Sequence, residues 1–234
     1  AGLVGAYNPF RALGLRDGIF TLAKVETLAD FVAMKVELNK IKLPAIKIVL
    51  TGSGKVAKGA KEIVDHLNIE KITVDEYLTK TYQKAVYCYI DVMDNNKKMD
   101  GGTFNKTEFF KDPTGYESNF MRFAKVSDVL IAGHFYGENA PYLFTRDDAK
   151  HPEFHISVIG DISCDIDGPV ASTLRASTIA DPIYGYQAAS EKEVPFKTKN
   201  SITVMAVDNL PCELPKDASE GFGRMFFNQV MPAF

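Results

Sequence analysis

In "KIVLTGSGKVAKGAKEIV", residues 47–64, Gly52, Ser53 and Gly54 stand between an apolar run and a segment of helical spacing, and Lys55 and Val56 lead on to Ala57. The pattern is GxGxx(G/A). Its first glycine permits a tight turn, the second lets backbone amides approach a pyrophosphate, and the small third residue lets helix and strand pack closely. The helix N-terminus then faces the negative charge. Taken alone, the turn has two other readings: a purely structural connection, or the strand-to-helix turn of a methyltransferase. Context favours a dinucleotide. Asp75, with Glu76 beside it, follows Gly52 at roughly the 20-residue offset of an acid that hydrogen-bonds a ribose hydroxyl, and both are expected at the end of the second strand. Such an acid repels a 2′-phosphate and so points to NAD, while Lys71 and Lys80 nearby leave NADP open. A P-loop is excluded, because Val56 rather than Ser or Thr follows Lys55 and Val49 holds the place of the leading glycine.

A second constellation is "VIGDISCDIDG", residues 158–168, which puts Asp161, Asp165 and Asp167 at the carboxyl end of a buried strand. Ligands bind there in open α/β sheets. Three acids can hold Mg²⁺, cap a loop or orient a substrate; Asp165 is assigned a substrate-side role and no metal is expected. Cys164 has no His near it in sequence and reads as a small buried apolar residue rather than a nucleophile. His134, in "LIAGHFYG", follows another strand end and either lines the cofactor cleft or is a hydrogen-bonded loop residue. His151 and His155 are spaced for a helix-borne metal, but Pro152 between them makes them surface residues instead. His66 is expected to cap a helix end.

The elements that must carry these residues are legible as apolar runs. Strands are expected at 46–50, 71–74, 85–91, 128–132, 156–162 and 202–207, separated by crossover-length segments. That alternation implies an α/β fold, a doubly wound Rossmann-type parallel sheet. Helical spacing of Leu22, Val25, Leu28, Ala29, Val32 and Val36 after Thr21 predicts a helix that Pro44 stops. Another is expected at 55–67, and an amphipathic one at the end, with Phe222, Met225, Phe226 and Val230 on one face. Residues 92–126 are polar and turn-rich with scattered Phe and Tyr, and read as an insertion containing a short helix at 107–111. Its aromatic residues are read as the insertion's own core.

At 234 residues, 46% hydrophobic and 24% charged, the chain can bury one large core or two smaller ones. A net charge of −3 offers no basic field for nucleic acid. No apolar run is long enough for a membrane span. Three cysteines, Cys88, Cys164 and Cys212, form neither a CxxC pair nor an even disulfide framework, so a cytoplasmic location is expected. The opening "AGLVGAYNPFRALG" lacks the plan of a signal peptide and an initiator Met, so the expectation is a fragment or processed product.

Several stretches together resemble one family over almost the whole chain: "AGLVGAYNPFRALG", "TGSGKVA", "YESNF" through "VSDVLIAGHFYGENAPYLFT", "ISCDIDG", "STIADPIYGY" and "AVDNLPCELPKDASEGFG". The resemblance is to the saccharopine dehydrogenase (lysine-forming) and lysine-ketoglutarate reductase family, related to alanine dehydrogenase and transhydrogenase. It implies two Rossmann-like domains flanking a cleft. Residues 1–44 would end the substrate domain, with a connecting helix over 22–40. Residues 45–207 would be the NAD-binding domain, and 208–234 would pack back on the substrate domain. The implied reaction is condensation of lysine with 2-oxoglutarate to saccharopine, or its reverse. In it, hydride moves between nicotinamide and the substrate carbon bonded to nitrogen. By the same resemblance Gly52, Ser53, Gly54, Lys55 and Val56 form the pyrophosphate turn and Asp75 is the ribose acid. His134 and Phe135 lie beside the cofactor, Asp165 is the substrate-side acid, and Asp208, Asn209 and Leu210 lie near the nicotinamide. The family's acid-base Lys and His and its carboxylate-binding Arg come from the first domain, which would precede Ala1. The chain is therefore expected to be an incomplete, inactive portion whose partners are a missing N-terminal domain and an amino-acid substrate. An alanine dehydrogenase-like enzyme and a non-catalytic dinucleotide-binding module are the alternatives. Oligomeric state is open.

Overall fold

Apolar, largely β-branched and aromatic runs supply the central strands, and short polar stretches the outer ones: β1 (Lys47–Thr51), β2 (Glu70–Lys71), β3 (Val86–Ile90), β4 (Asn96–Lys98), β5 (Tyr116–Ser118), β6 (Val129–Ala132), β7 (Val158–Asp161), β8 (Ile183–Gln187), β9 (Lys192–Val194) and β10 (Ile202–Met205). The helices are α1 (Gly2–Asp17), α2 (Phe31–Leu38), α3 (Lys55–His66), α4 (Val74–Thr79), α5 (Val92–Asn95), α6 (Lys106–Lys111), α7 (Met121–Ala124), α8 (Arg146–Lys150) and α9 (Pro215–Gln229). This computed structural model describes residues 1–137 and 139–234.

Eight strands form one sheet in the order β2-β3-β1-β6-β7-β10-β8-β9. The first six are parallel, and the hairpin β8–β9 closes the far edge antiparallel. The sequence reading did not anticipate that hairpin. Because β1, β3, β6 and β7 are buried on both faces, their runs are almost continuously apolar. Ile48 and Leu50 face one core with Tyr7, Phe10 and Ile63; Val49 faces the other with Tyr77, Phe120 and Phe123. Register makes the fold useful. Thr51 pairs with both Ile90 and Ala132, and Ala132 with Asp161, so residues 52, 91, 133 and 162 leave the sheet side by side. The chain leaves β1 for β2 and β3 on one side and returns to β6 on the other, so this rim is the topological switch point where open α/β sheets bind ligands.

Two local expectations need correction, and one stretch gains an element. Residues 2–17, read only as a matched stretch, form the buried helix α1. Pro9 rests so closely on β7 that a Cβ at Gly160 would lie 2.0 Å from its Cγ. Tyr7, Phe10 and Leu13 of α1 share a core with Ile48 and Leu50 of β1, and the division at residue 44 stands as a proposal. The helix expected after Thr21 begins instead at Phe31: Asp30 caps it, accepting from Ala33 N at 3.1 Å, while Ala23 N is held by Glu37 Oε1 at 2.8 Å, outside any helix. The second strand stops at Lys71, because Thr73 and Glu76 form a capping box that starts α4 at Val74.

The insertion folds as the antiparallel pair β4–β5 with α6 between its strands. At the other end, α9 buries none of its residues, and Phe222, Phe226 and Phe227 are exposed. Among the described residues no helix is long and apolar enough to cross a membrane.

Candidate functional site

The glycine turn leaves β1 at the switch point. Gly52 takes φ +102°, a conformation that side chains disfavour, and a Cβ there would lie 2.6 Å from the Gly133 carbonyl oxygen. The close approach of the loops after β1 and β6 thus requires glycine. Ala57 is fully buried against Gly133, which explains the small third residue. Gly54 is the opposite case: a Cβ there would meet nothing within 4 Å, because it would project into open space. Gly54 is also the N-cap of α3 and offers no side-chain hydrogen bond, so the first amides of a twelve-residue helix face that space. The arrangement fits a pyrophosphate.

A cleft of about 510 Å³ opens from the turn. It is lined by Gly52, Ser53, Gly54, Lys55 and Val56, with Asp91, Val92, Phe110, His134, Phe135, Tyr136, Ser163 and Asp165 among the other walls. The expected pyrophosphate turn, His134, Phe135 and Asp165 are therefore brought together.

Asp75 is not among them. It lies exposed in the first turn of α4, and β2 is separated from β1 by β3. The expected place at the end of the second strand is corrected, because β2 stops at Lys71 and Asp75 lies in α4. The acid at the end of the strand that does adjoin β1 is Asp91. Its Oδ1 accepts from Ser53 Oγ at 3.2 Å and Val92 N at 2.8 Å, and its Oδ2 accepts from Lys106 Nζ at 2.5 Å. Burial pushes this carboxyl up, but Lys106, the Val92 amide and Ser53 outweigh it and hold the group below the ordinary carboxylate range. Sequence reasoning missed Asp91 although it ended the expected strand 85–91; offset from Gly52 counts residues, whereas adjacency depends on strand order.

His134 takes its place from the same register. Its Nδ1 is 2.8 Å from Thr51 Oγ1, and burial pushes its pKa down to about 4, so the ring is neutral near pH 7. Among the described residues its buried Nε2 has no hydrogen-bond partner. Phe135 beside it is 85% exposed.

On the other wall, Asp161 is fully buried and anchors the loop that bears Asp165. It accepts from Ser163 Oγ (2.6 Å), Cys164 N (3.2 Å) and Thr173 Oγ1 (2.7 Å). Burial raises its pKa against the pull of these bonds. Asp167 faces away and pairs with Arg146 at 2.6 Å, so the three acids do different jobs. Among the described residues no group of three His, Cys, Asp or Glu side chains is placed to hold a metal. Cys164 donates to the Ala206 carbonyl at 3.0 Å, and burial pushes its thiol up to about 11, which leaves little thiolate for nucleophilic attack. His155 meets Asp128 at 3.2 Å, away from His151, and His66 reaches the Lys35 carbonyl of α2 rather than its own helix end. Asp208 and Asn209 are exposed, Leu210 is buried in the core, and none of the three lines the cleft.

The model of the family "Alanine dehydrogenase/PNT, C-terminal domain" matches residues 26–232. The chain belongs to that family. It is 26% identical over 255 residues to the mitochondrial alpha-aminoadipic semialdehyde synthase of Mus musculus, covering 97% of this chain and 27% of that protein. It is also 26% identical over 243 residues to the alpha-aminoadipic semialdehyde synthase of Arabidopsis thaliana, covering 94% of this chain and 23% of the relative. The chain thus spans about a quarter of the length of the curated relatives it matches. Among solved structures it is similar to an L-alanine dehydrogenase, with a TM-score of 0.47 and 18% identity over all of this chain and 54% of the other.

Proposed function

We propose that the chain is the dinucleotide-binding portion of a nicotinamide-dependent oxidoreductase acting on a CH–NH bond, of the saccharopine dehydrogenase kind, interconverting saccharopine with lysine and 2-oxoglutarate. The observation that carries this reading is the open N-terminus of α3 behind Gly52 and Gly54, facing the same cleft as Asp91, His134 and Asp165. The α3 amides would take the pyrophosphate, and Asp91 rather than Asp75 would take a ribose hydroxyl. A bound nicotinamide cofactor supplies hydride exchange with the substrate carbon. Asp165, half-buried at the mouth, would orient the amino-acid side. His134, neutral and fixed by Thr51, is suited to positioning rather than to accepting a proton at neutral pH.

A proton-accepting group and a carboxylate clamp would come from an N-terminal domain of the kind the longer relatives have room for. This portion would then bind cofactor without turning over alone. The three free cysteines support a reducing compartment, and we keep the cytoplasm as the proposed location. Calorimetric titration with NADH, NADPH and S-adenosylmethionine tests the reading. Binding of a nicotinamide cofactor, lost in Gly54→Val, supports it. Binding of S-adenosylmethionine alone overturns it in favour of a methyltransferase.

A further inference from the structure

The end of the chain hangs from a narrow root. The 3₁₀ turn Leu210–Glu213 leads through Leu214 into α9, and Leu210, Glu213 and Leu214 are buried. Two bonds then tie the first turn of α9 to the start of α2: Lys216 Nζ donates to Asp30 Oδ2 at 2.7 Å, and Asp217 Oδ2 accepts from Phe31 N at 2.9 Å. Among the described residues nothing beyond Asp217 forms a hydrogen bond or ion pair outside α9 and the turn that ends it, and every residue from Ser219 to Phe234 is exposed. A helix fixed only at its first turn is a lever. The turn Leu210–Glu213 is its fulcrum.

At that fulcrum sits a carboxyl in a place poorly made for charge. Glu213 is 2% exposed and wedged between α1 and the 3₁₀ turn Val25–Thr27. Its bond to α1 comes from a neutral donor, Asn8 Nδ2, at 2.9 Å. The cations that face it are engaged elsewhere: Arg11 Nε of α1 donates to the Leu22 carbonyl at 3.3 Å, and Lys24 Nζ to the Ala180 carbonyl at 2.9 Å. Glu26 adds like charge from the Val25–Thr27 turn. Tyr7 of α1 donates to the Ala23 carbonyl at 2.8 Å, Glu37 of α2 is held by Ala23 N and Lys40, and Lys216 and Asp217 of α9 are spent on α2. A protonated Glu213 suits these surroundings, whereas the ionised form gains by moving into water.

We propose that the buried Glu213 carboxyl is the latch of a hinge: protonated, it seats the turn Leu210–Glu213 on α1 and holds α9 in place, and deprotonated, it lifts that turn away and releases the helix. Burial pushes the carboxyl up to about 7, so the latch works near neutrality. The held form binds the proton more tightly than the released form, whose solvated carboxyl titrates near the ordinary 4.5, so the released share grows as pH rises. Between pH 5.5 and pH 8.5 the ratio of released to held chains should rise by about 30-fold. Nothing in the hinge depends on the dinucleotide reading. Its consequence is that pH sets the direction in which Phe222, Phe226 and Phe227 are presented.

The chain has no Trp, so Phe227→Trp, at an exposed position, places a single fluorophore on α9. Its time-resolved anisotropy is recorded on the 234-residue chain at pH 5.5 and pH 8.5, alone and combined with Glu213→Gln, with far-UV circular dichroism to establish folding. Gln keeps an oxygen for Asn8 but cannot ionise. At the lower pH the decay should follow the tumbling of the whole molecule, and at the higher pH a faster nanosecond component should appear, with a midpoint near pH 7. In Glu213→Gln the slow decay should persist at both. A decay that does not change with pH while Glu213 is present overturns the latch, whether or not the double variant folds. So does a change whose midpoint lies outside about pH 6–8, or one that survives in Glu213→Gln.

Discussion

The cleft at the carboxyl ends of β1, β3 and β6 and the helix α9 are unfinished surfaces of opposite kinds. In the cleft the feature left open is polar, the first amides of α3 beside Asp91 and Asp165, set between the exposed rings of Phe110 and Phe135. Along α9 the polar groups are in water and what stays open is apolar, Phe222, Phe226 and Phe227. A surface that lacks hydrogen-bond partners selects a small polar ligand, whereas one that lacks apolar neighbours selects another protein surface. The expectation that α9 packs against a first domain stands as a proposal with that physical motive.

The largest effect should separate the chain's own core from this helix. Phe120→Ala, in the core beneath α7, should cost about 3–5 kcal/mol in urea unfolding, while Phe226→Ser should cost less than about 0.5 kcal/mol. A comparable cost at both positions would show that α9 belongs to this domain's core. Next, Gly54→Val should weaken NADH binding by about 100-fold in calorimetry with only a modest drop in melting temperature, because the added Cβ enters the cradle where no heavy atom lies within 4 Å and the helix loses a favourable N-cap.

Glu213 gives a pH signature at the root of α9. It is 2% exposed, and burial pushes its carboxyl up to about 7 even though Asn8 Nδ2 donates to it at 2.9 Å. The folded state holds this proton above the unfolded carboxyl's pKa, so the folded state binds more protons there. Stability must therefore fall as pH rises from about 4.5 to about 7, then level off. Glu213→Gln should remove that decline, leaving the variant on the order of 2 kcal/mol more stable than wild type at pH 8 by denaturant titration. The smallest effect discriminates between two acids: Asp91→Ala should weaken NADH by about 10-fold and Asp75→Ala by less than about 2-fold. The reverse order would return the ribose to Asp75.

What the sequence could and could not disclose follows from the range of the interactions. The glycine turn, the strand cores and the α6 helix rest on local rules, apolar runs and caps, and are legible within a few residues. Asp91 was not, because it becomes the neighbour of Ser53 only when β3 slots between β2 and β1. Nor was α1, whose small residues Gly2 and Gly5 with Pro9 show no amphipathic period, since it is buried nearly all round. The helix expected from Leu22 failed for the converse reason: its periodicity was real, but Asp30 and Glu37 bind the backbone more effectively than another helical turn would.

The position of β10 bears on how the molecule is made. It is the last strand in the chain, yet it is enclosed by β7 and β8. While the polypeptide is being synthesised, those two neighbours wait with bare edges until residues 202–205 arrive to join them. Exposed edges of this sort invite pairing with other nascent chains. The interval between translation of β8 and of β10 is accordingly the period when chaperone protection counts most, and an expression host that pauses there should yield more aggregate than one that does not.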